Sequence, residues 1–275
     1  MPILDGLPIL GAALTLNTLA QHRDWILDKQ RDLELQDFCE LDVLDGDWRS
    51  TAEEVKRLLT GYEGRLGIHG PFWSLALDAV DPMVRAVVTR RLLQGLEICE
   101  ALGATQMVIH SPYTTWDHAN LDIYPNARDK KIDLVHDTLA TVVPRAEDIG
   151  VELVIENIED IDPYARVELA ESFDSDGVLV SIDTGHALYA HMSHGAPPVD
   201  FFVQAADDLL AHIHLQDADG YADRHWQPGD GVVNWRAVFA AIAQIDADPR
   251  LIIEVRDPRQ LMRGVAYLTG LGLAV

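Results

Sequence analysis

The chain has 275 residues, a net charge of −24 at neutral pH and a hydrophobic fraction of 48%. This length fits one large domain, and the apolar content is enough for a sizeable core, which excludes general disorder. The negative charge repels phosphate backbones, so it disfavours nucleic-acid binding and favours solubility and the binding of divalent cations.

Eight short apolar runs alternate with stretches of helical length. The predicted strands are Leu10–Leu16, Phe38–Leu44, Leu66–Phe72, Gln106–Tyr113, Val151–Ile158, Val178–Thr184, Leu210–Asp217 and Leu251–Asp257. The predicted helices are Thr18–Leu33, Thr51–Tyr62, Pro82–Leu102, Ala127–Ile149, Pro163–Ser172, Val199–Asp208, Trp235–Gln244 and Pro258–Leu268. This alternation predicts a parallel sheet. With no linker, and no Gly-x-Gly-x-x-Gly turn after the first strand, residues 1–275 are predicted to form a single (β/α)8 TIM barrel.

Several predicted helices carry signals at their ends. Ser50–Glu53 has the pattern of a capping box, and three Asp-Pro pairs place an N-cap before a proline: Asp81-Pro82, Asp162-Pro163 and Asp257-Pro258. Gly103 and Gly150 lie where a helix is expected to end.

The first residues and the two cysteines indicate where in the cell the protein is expected. Residues 1–11 lack the basic start and long apolar run of a signal peptide, and no apolar run approaches the roughly 20 residues of a membrane span. Cys39 and Cys99 lie in apolar segments and are interpreted as reduced core thiols rather than a disulfide. We therefore expect a cytoplasmic protein without a membrane segment.

Strand after strand ends in a side chain that can bind a metal ion, namely His69, His110, Glu156, Asp183, His214 and Glu254. In a barrel these ends meet at one rim, and alternation lets each side chain point into the mouth. Each residue alone has a structural explanation, but buried carboxylates in strands are costly unless they are paired or metal-bound. A shell of His, Asp and Glu without thiolate suits Mn, Mg, Fe, Co or Zn.

The stretch after the seventh predicted strand, residues 217–231, is polar, long and rich in glycine, as is typical of a functional loop. Asp223 and His225 are predicted to be further ligands or substrate contacts. Asp217, Asp219 and Asp230 are interpreted as ordinary turn residues.

From about residue 10 to 257, the order of these motifs resembles the xylose-isomerase-like TIM-barrel superfamily. The resemblance to its sugar isomerase and epimerase branch implies one divalent ion (Mn, Mg, Co or Zn) held by Glu156, Asp183, His214 and Glu254. It also implies that the two glutamates move protons through a metal-stabilised enediolate of a sugar or keto-polyol. His186, and also Arg256, are expected to contact that substrate.

The endonuclease IV branch of the same superfamily is the alternative. It implies up to three zinc ions and a phosphodiesterase acting on abasic DNA, with ligands at His69, His110, Glu156, Asp183, His186, His214, Asp223, His225 and Glu254. Three departures count against it: Asn157-Ile158-Glu159 follows Glu156, Gly185 replaces a usual cysteine, and the loop has few basic residues. A sugar dehydratase or lyase on the same scaffold is a third reading.

The substrate is expected to be a small carbohydrate. The only basic candidates near the mouth for a phosphate are Arg128, Lys130, Lys131 and Arg224, and the two lysines are interpreted as solvated helix residues. An unphosphorylated substrate is therefore favoured. Three tryptophans on rim loops either wall the pocket or form a homo-oligomer contact: Trp73, Trp116 and Trp226.

Overall fold

A computed structural model describes residues 6–275, in which eight parallel strands close into a barrel. The strands are β1 (Gly11–Leu14), β2 (Leu33–Leu35), β3 (Leu66–His69), β4 (Gln106–His110), β5 (Glu152–Glu156), β6 (Val178–Asp183), β7 (Leu210–Leu215) and β8 (Arg250–Ile253). Each strand pairs with its neighbours in the chain, and β1 pairs with β8 to close the ring. The prediction of a TIM barrel is confirmed. Residues 1–5, on which the signal-peptide expectation partly depends, lie outside the described residues.

Helices connect successive strands and cover the barrel. They are α1 (Leu16–Asp28), α2 (Leu41–Asp45), α3 (Trp48–Leu58), α4 (Pro82–Leu102), α5 (Thr115–Asn120), α6 (Ala127–Leu139), α7 (Val142–Asp148), α8 (Pro163–Glu171), α9 (Thr184–His194), α10 (Val199–Ala206), α11 (Trp235–Ile242) and α12 (Leu261–Gly270). Across residues 6–275, no helix has the length and apolar character needed to cross a membrane. Cys39 and Cys99 are buried free thiols.

The second strand begins earlier than predicted. The sequence pattern placed it at Phe38–Leu44, whereas those residues contribute to a 3-10 turn and to α2, and β2 lies at Leu33–Leu35. The two leucines of β2 are fully buried and flank Glu34, which is only 2% exposed. A carboxylate at an inward position makes this short strand look polar, and the apolar run after it gave a stronger but misleading signal.

The predicted helix Ala127–Ile149 is divided into α6 and α7 at residues 140–141. Pro144 lies in the first turn of α7, where a helix does not need its missing N–H. A continuous helix would need that N–H bonded to the carbonyl of Ala140, so the chain breaks there and restarts.

The helix-end predictions are largely confirmed. The side chains of three predicted N-caps each accept a backbone N–H two residues on: Asp81, Asp162 and Asp257. Gly103 and Gly150 follow α4 and α7 with φ of 71° and 68°. The capping box at Ser50–Glu53 is wrong, because α3 begins at Trp48, where Asp47 caps the helix by accepting the N–H of Ser50 at 3.2 Å.

Candidate metal centre

Four buried side chains meet at the carboxyl ends of β5 to β8, and we call them the four-ligand group. Glu156 and Asp183 are the last residues of β5 and β6, His214 is the penultimate residue of β7, and Glu254 directly follows β8. None is more than 7% exposed. Because parallel strands end at the same rim, neighbouring strand ends bring these side chains together. The structure thus assembles the four residues that the sequence predicted as metal ligands.

His214 lies at the centre of the four-ligand group. Its Nδ1 is 3.0 Å from Oε1 of Glu156 and 3.6 Å from Oε2 of Glu254. Asp183 also caps α9, a helix that the sequence pattern did not predict, and accepts the N–H of His186 at 2.7 Å. The helix therefore fixes the orientation of the carboxylate. Ligand-type atoms of Asp183, His214 and Glu254 all lie within 4.8 Å of one another.

Two carboxylate oxygens of this group are buried without a hydrogen-bond partner among residues 6–275, namely Oε2 of Glu156 and Oδ2 of Asp183. A buried polar atom left unpaired is costly, and a divalent cation would satisfy both oxygens. The set of carboxylates and imidazole, with no thiolate, suits Mn, Mg, Co or Zn. The residues present therefore fit a metal ion.

Burial and mutual attraction together set the titration of these groups. Burial opposes the ionised form of Glu156, but the nearby imidazoles, His214 foremost, hold the pKa of its carboxyl well below the usual range. Burial raises the pKa of Asp183 to about 6. Burial opposes the charged form of His214, yet Glu254 and the other carboxylates raise the pKa of its imidazole well above the usual value. Without a metal ion, His214 is therefore protonated at neutral pH.

Five further predicted site residues flank the group, and we call them the histidine-rich half: His69, His110, His186, Asp223 and His225. On one side, Nε2 of His69 and Nε2 of His110 are 3.3 Å apart, and each lies 3.7 Å from Oε2 of Glu156. Burial lowers the pKa of His110 to about 3, so this imidazole is neutral and available as a ligand or acceptor.

On the other side, Asp223 lies between two imidazoles. Its Oδ1 is 2.9 Å from Nε2 of His225 and 3.4 Å from Nε2 of His186. Burial opposes the charged form of His225, but Glu254, 3.1 Å from Nδ1, and Asp223 raise its pKa to about 11. Each side of the histidine-rich half thus contacts a glutamate of the four-ligand group, Glu156 on the first side and Glu254 on the second. Each side also offers ligand atoms for another cation or for a substrate.

The loop after β7 is organised by Asp217, so interpreting this residue as an ordinary turn residue is wrong. Its carboxylate is 1% exposed and accepts the N–H groups of Gly229 at 2.8 Å and Val233 at 3.0 Å, and the indole N–H of Trp235 at 3.1 Å. Asp219 does behave as a turn residue and accepts the N–H of Tyr221 at 3.0 Å. The loop that carries Asp223 and His225 is thereby closed on itself.

The sequence reasoning missed two buried polar residues at the site, Glu34 and Gln216. The Gln216 amide donates to Oδ1 of Asp183 at 3.0 Å and to Oδ1 of Asp223 at 3.2 Å, and its oxygen accepts the N–H of His225 at 2.9 Å. It therefore joins the four-ligand group to the histidine-rich half. Its only signal was its place in the His214–Asp217 motif, and the signal for Glu34 was a carboxylate between two strand leucines.

A cavity of about 580 Å³ opens onto the site. Glu156 and Glu254 line it, and Phe72 and Trp73 form an aromatic wall in which the two rings lie 4.5 Å apart. Arg256, predicted to contact substrate, is exposed and also lines the cavity. The predicted rim residue Trp73 thus lies in the wall of this cavity.

Three of the basic residues considered for phosphate binding are paired with carboxylates. Arg128 contacts Asp122 at 2.7 Å, and Arg224 contacts Asp219 at 2.8 Å. Lys131 contacts Asp78 and Asp117, and it is only 6% exposed. The prediction of a solvated Lys131 is therefore wrong, because the lysine is held between two acidic side chains.

Comparison with known proteins places this fold and site in a family. A family model described as xylose isomerase-like TIM barrel matches residues 34–271, which covers most of the chain. The chain belongs to this family. The resemblance seen in the order of the sequence motifs is thereby confirmed for the xylose isomerase-like family as a whole.

Proteins similar to this chain include sugar-modifying enzymes. The chain is 26% identical to protein MJ1311 of Methanocaldococcus jannaschii over 216 residues, 75% of this chain and 70% of that one. It is 25% identical to inosose dehydratase of Lacticaseibacillus casei (59% and 61% covered) and 27% identical to fructoselysine 3-epimerase of Escherichia coli O157:H7 (38% and 39% covered). These relatives confirm the prediction of an enzyme similar to sugar isomerases and epimerases.

Solved structures agree on the architecture. The TTHB071 protein of Thermus thermophilus, from a crystal soaked with ZnCl2, superimposes with a TM-score of 0.73 at 26% identity over 95% of this chain and 97% of that one. A D-tagatose 3-epimerase-like protein gives a TM-score of 0.76 at 22% identity over 95% and 96%. The latter likeness concerns the fold alone.

Proposed function

We propose that this protein is a divalent-metal-dependent isomerase or epimerase of an unphosphorylated sugar or keto-polyol. The observation that carries the proposal is the convergence of Glu156 and Glu254 on Asp183 and His214, with two buried carboxylate oxygens left unpaired. The sugar-modifying relatives support the substrate class.

Glu156, Asp183, His214 and Glu254 would hold the ion. When bound, it would polarise the carbonyl and hydroxyl of the substrate and so make the neighbouring carbon-bound proton more acidic. The buried position of all four residues excludes bulk water, which strengthens every charge interaction at the site.

Glu156 and Glu254 are the proposed acid–base pair. One carboxylate takes the proton from the carbon next to the carbonyl, and the other returns a proton to the product. Glu254 is held for this role by Gln36, whose amide donates to Oε1, and by His225, 3.1 Å from Oε2. Burial opposes its ionisation, but His214 and His225 lower the pKa of the Glu254 carboxyl, so the group is ionised at neutral pH, as a proton acceptor must be.

The charges around the cavity favour a substrate without phosphate. Arg128, Lys131 and Arg224 are engaged with carboxylates and do not line the cavity. Arg256 is the one arginine or lysine among its lining residues, and four acidic side chains line the cavity with it: Glu40, Glu156, Asp223 and Glu254. Phe72 and Trp73 suit the apolar face of a sugar ring or chain.

The test is the substitution Glu254→Gln, assayed on ketohexoses such as D-tagatose and on inosose, with metal content measured by elemental analysis. With the metal concentration raised until elemental analysis shows a loaded site, we expect turnover to fall about 10²–10⁴-fold, because the amide cannot take a proton. Glu152→Gln, at the opposite end of β5, is the matched control and should keep wild-type turnover. Undiminished turnover by Glu254→Gln would overturn the assignment.

An endonuclease-IV-like phosphodiesterase with three zinc ions is the second candidate, and the geometry of the histidine-rich half favours it. One observation counts against the nuclease. Those enzymes usually carry cysteine where this chain has Gly185, and a Cβ added there would lie 2.3 Å from the buried Gln216 side chain, so the site has no room for that cysteine. Elemental analysis and an abasic-site oligonucleotide separate the two readings. Three zinc ions per chain together with strand cleavage would establish the nuclease, and product analysis would detect a dehydratase instead.

A further inference from the structure

Glu34 is a buried carboxylate inside the barrel that the proposed mechanism does not use. It is the middle residue of β2, only 2% exposed, between the fully buried Leu33 and Leu35. An ionised carboxylate away from water is strongly unfavourable unless it is paired. Its partners therefore indicate its role.

Two imidazoles of β7 face this carboxylate. Nε2 of His214 lies 3.0 Å from Oε1 and 3.2 Å from Oε2 of Glu34, and Nε2 of His212 lies 3.0 Å from Oε2. The two rings are nearly perpendicular, with centroids 4.5 Å apart, so they approach Glu34 from different directions. Because an ionised carboxylate only accepts hydrogen bonds, Nε2 of His214 must carry a proton.

The other ring nitrogen of His214, Nδ1, faces two carboxylates of the four-ligand group. Nδ1 lies 3.0 Å from Oε1 of Glu156 and 3.6 Å from Oε2 of Glu254. When the ring is neutral, a proton on Nε2 leaves the lone pair on Nδ1, which is the nitrogen a cation in this group would use.

The row of buried polar groups continues beyond Glu34. Oγ of Ser181 lies 2.8 Å from Nδ1 of His212, and both residues are at most 1% exposed. A hydroxyl that donates to Nδ1 leaves the N–H of His212 on Nε2, which lies 3.0 Å from Oε2 of Glu34 but forms no hydrogen bond of acceptable geometry among the described residues. Ser181 and His212 therefore support the carboxylate from one layer deeper in the barrel.

We propose that Glu34 is a positioning residue for the metal ligand His214: its carboxylate accepts the Nε2 proton and holds the ring so that Nδ1 faces the cation. The inference rests on the proposed function, because it requires a cation in the four-ligand group. Carboxylates placed behind a metal-binding histidine raise the basicity of the ligand, and their loss typically weakens metal binding about 10–100-fold.

The test titrates Co²⁺ into the metal-free full chain of wild type and Glu34→Gln, measuring Kd by calorimetry and the visible spectrum of bound cobalt. The glutamine keeps the size of Glu34, but its NH2 group meets one of the two imidazole N–H groups. We expect Kd to rise about 10–100-fold and the cobalt spectrum to change. The matched control, Glu152→Gln at the other end of the barrel, should give wild-type values for both.

Ser181→Ala is a milder variant that removes one hydroxyl from the end of the row, in case Glu34→Gln does not fold. It should raise Kd more than Glu152→Gln does and shift the cobalt spectrum in the same direction as Glu34→Gln. Wild-type Kd and spectrum in Glu34→Gln, or in Ser181→Ala if only that variant folds, would overturn the positioning role.

Asp183→Asn separates failure of this inference from failure of the proposed function. No cobalt binding by wild type, or undiminished binding by Asp183→Asn, would overturn the four-ligand group itself. Loss of all binding in Glu34→Gln with retention in Asp183→Asn would place the cation on Glu34, His212 and His214 and would also overturn the positioning role.

Discussion

At the scale of single residues, His214 lies among three carboxylates. Carboxylate oxygens of Glu34, Glu156 and Glu254 all lie within 3.0 to 3.6 Å of its ring nitrogens. Burial opposes the charged ring, but these carboxylates raise its pKa well above the usual value. A metal ion must therefore displace a proton in order to bind Nδ1.

Metal affinity is accordingly predicted to rise with pH. At pH 7, His214 is protonated in the metal-free chain, whereas Asp183, with a pKa of about 6, is ionised, so binding should release about one proton. Below pH 6 protonation of Asp183 adds to the competition, and the dependence should steepen. Calorimetry in buffers of different ionisation enthalpy counts the protons, and an affinity unchanged between pH 6 and 8 would contradict this account.

Single residues also show what the sequence could predict. Glu156, Asp183, His214 and Glu254 were accessible because each is a polar residue at the end of an apolar run, where a barrel places its site. Glu34 and Gln216 were not, because their roles depend on partners 180 and 33 positions away in the chain. The local pattern around each residue shows that it lies in or next to a strand but does not identify its partner.

At the scale of elements, the strands hold the four-ligand group, while a loop holds Asp223 and His225. Asp217 closes that loop from its base by accepting the N–H groups of Gly229 and Val233. His225 itself has a φ of 48°, in the left-handed region, and its N–H donates to Gln216. The loop is therefore fixed by a few buried hydrogen bonds rather than by an apolar core of its own.

We predict that Asp217→Asn loosens the loop without unfolding the barrel. Both carboxylate oxygens of Asp217 accept hydrogen bonds, whereas asparagine has only one oxygen that can accept. At least one buried N–H therefore loses its partner in the variant. Trypsin should then cut faster after Arg224, while the far-ultraviolet circular dichroism spectrum stays close to that of wild type. The exposed Asp246→Asn is the control. Equal cleavage rates in the two variants would show that Asp217 does not hold the loop.

Elements differed in how well the sequence predicted them. The order and number of strands could be predicted, because a sequence that alternates apolar runs with helices fits only a few parallel-sheet folds. The position of β2 was not, since its central Glu34 breaks the apolar pattern. Helix α9 was hidden as well, because its N-cap, Asp183, also ends a strand.

At the scale of the whole molecule, 45 acidic residues face 21 basic ones. The four-ligand group concentrates three of the carboxylates at one buried point. A divalent cation that binds only the folded barrel neutralises part of this charge and stabilises the fold by mass action.

Metal is therefore predicted to raise the free energy of unfolding by about 2.7 kcal/mol at a concentration 100 times its Kd. Urea unfolding with and without the ion measures the increment, and a chelator should remove it. Asp183→Asn, which lacks one ligand, should gain less under the same conditions. The same increment in both proteins would mean that the ion stabilises the chain from another place.

The candidate site is built from two kinds of element, the strand ends and the loop after β7, and these differ in how readily they can change. Glu156, Asp183 and His214 are fixed by backbone that barrel closure itself requires. Asp223 and His225, in contrast, belong to a segment tied to the barrel mainly through Asp217 and Gln216. Because loops tolerate change better than strands, we expect this segment to accept substitution more readily than the strand ends. A change confined to this loop is therefore expected to alter the residues above the four-ligand group and to leave that group in place.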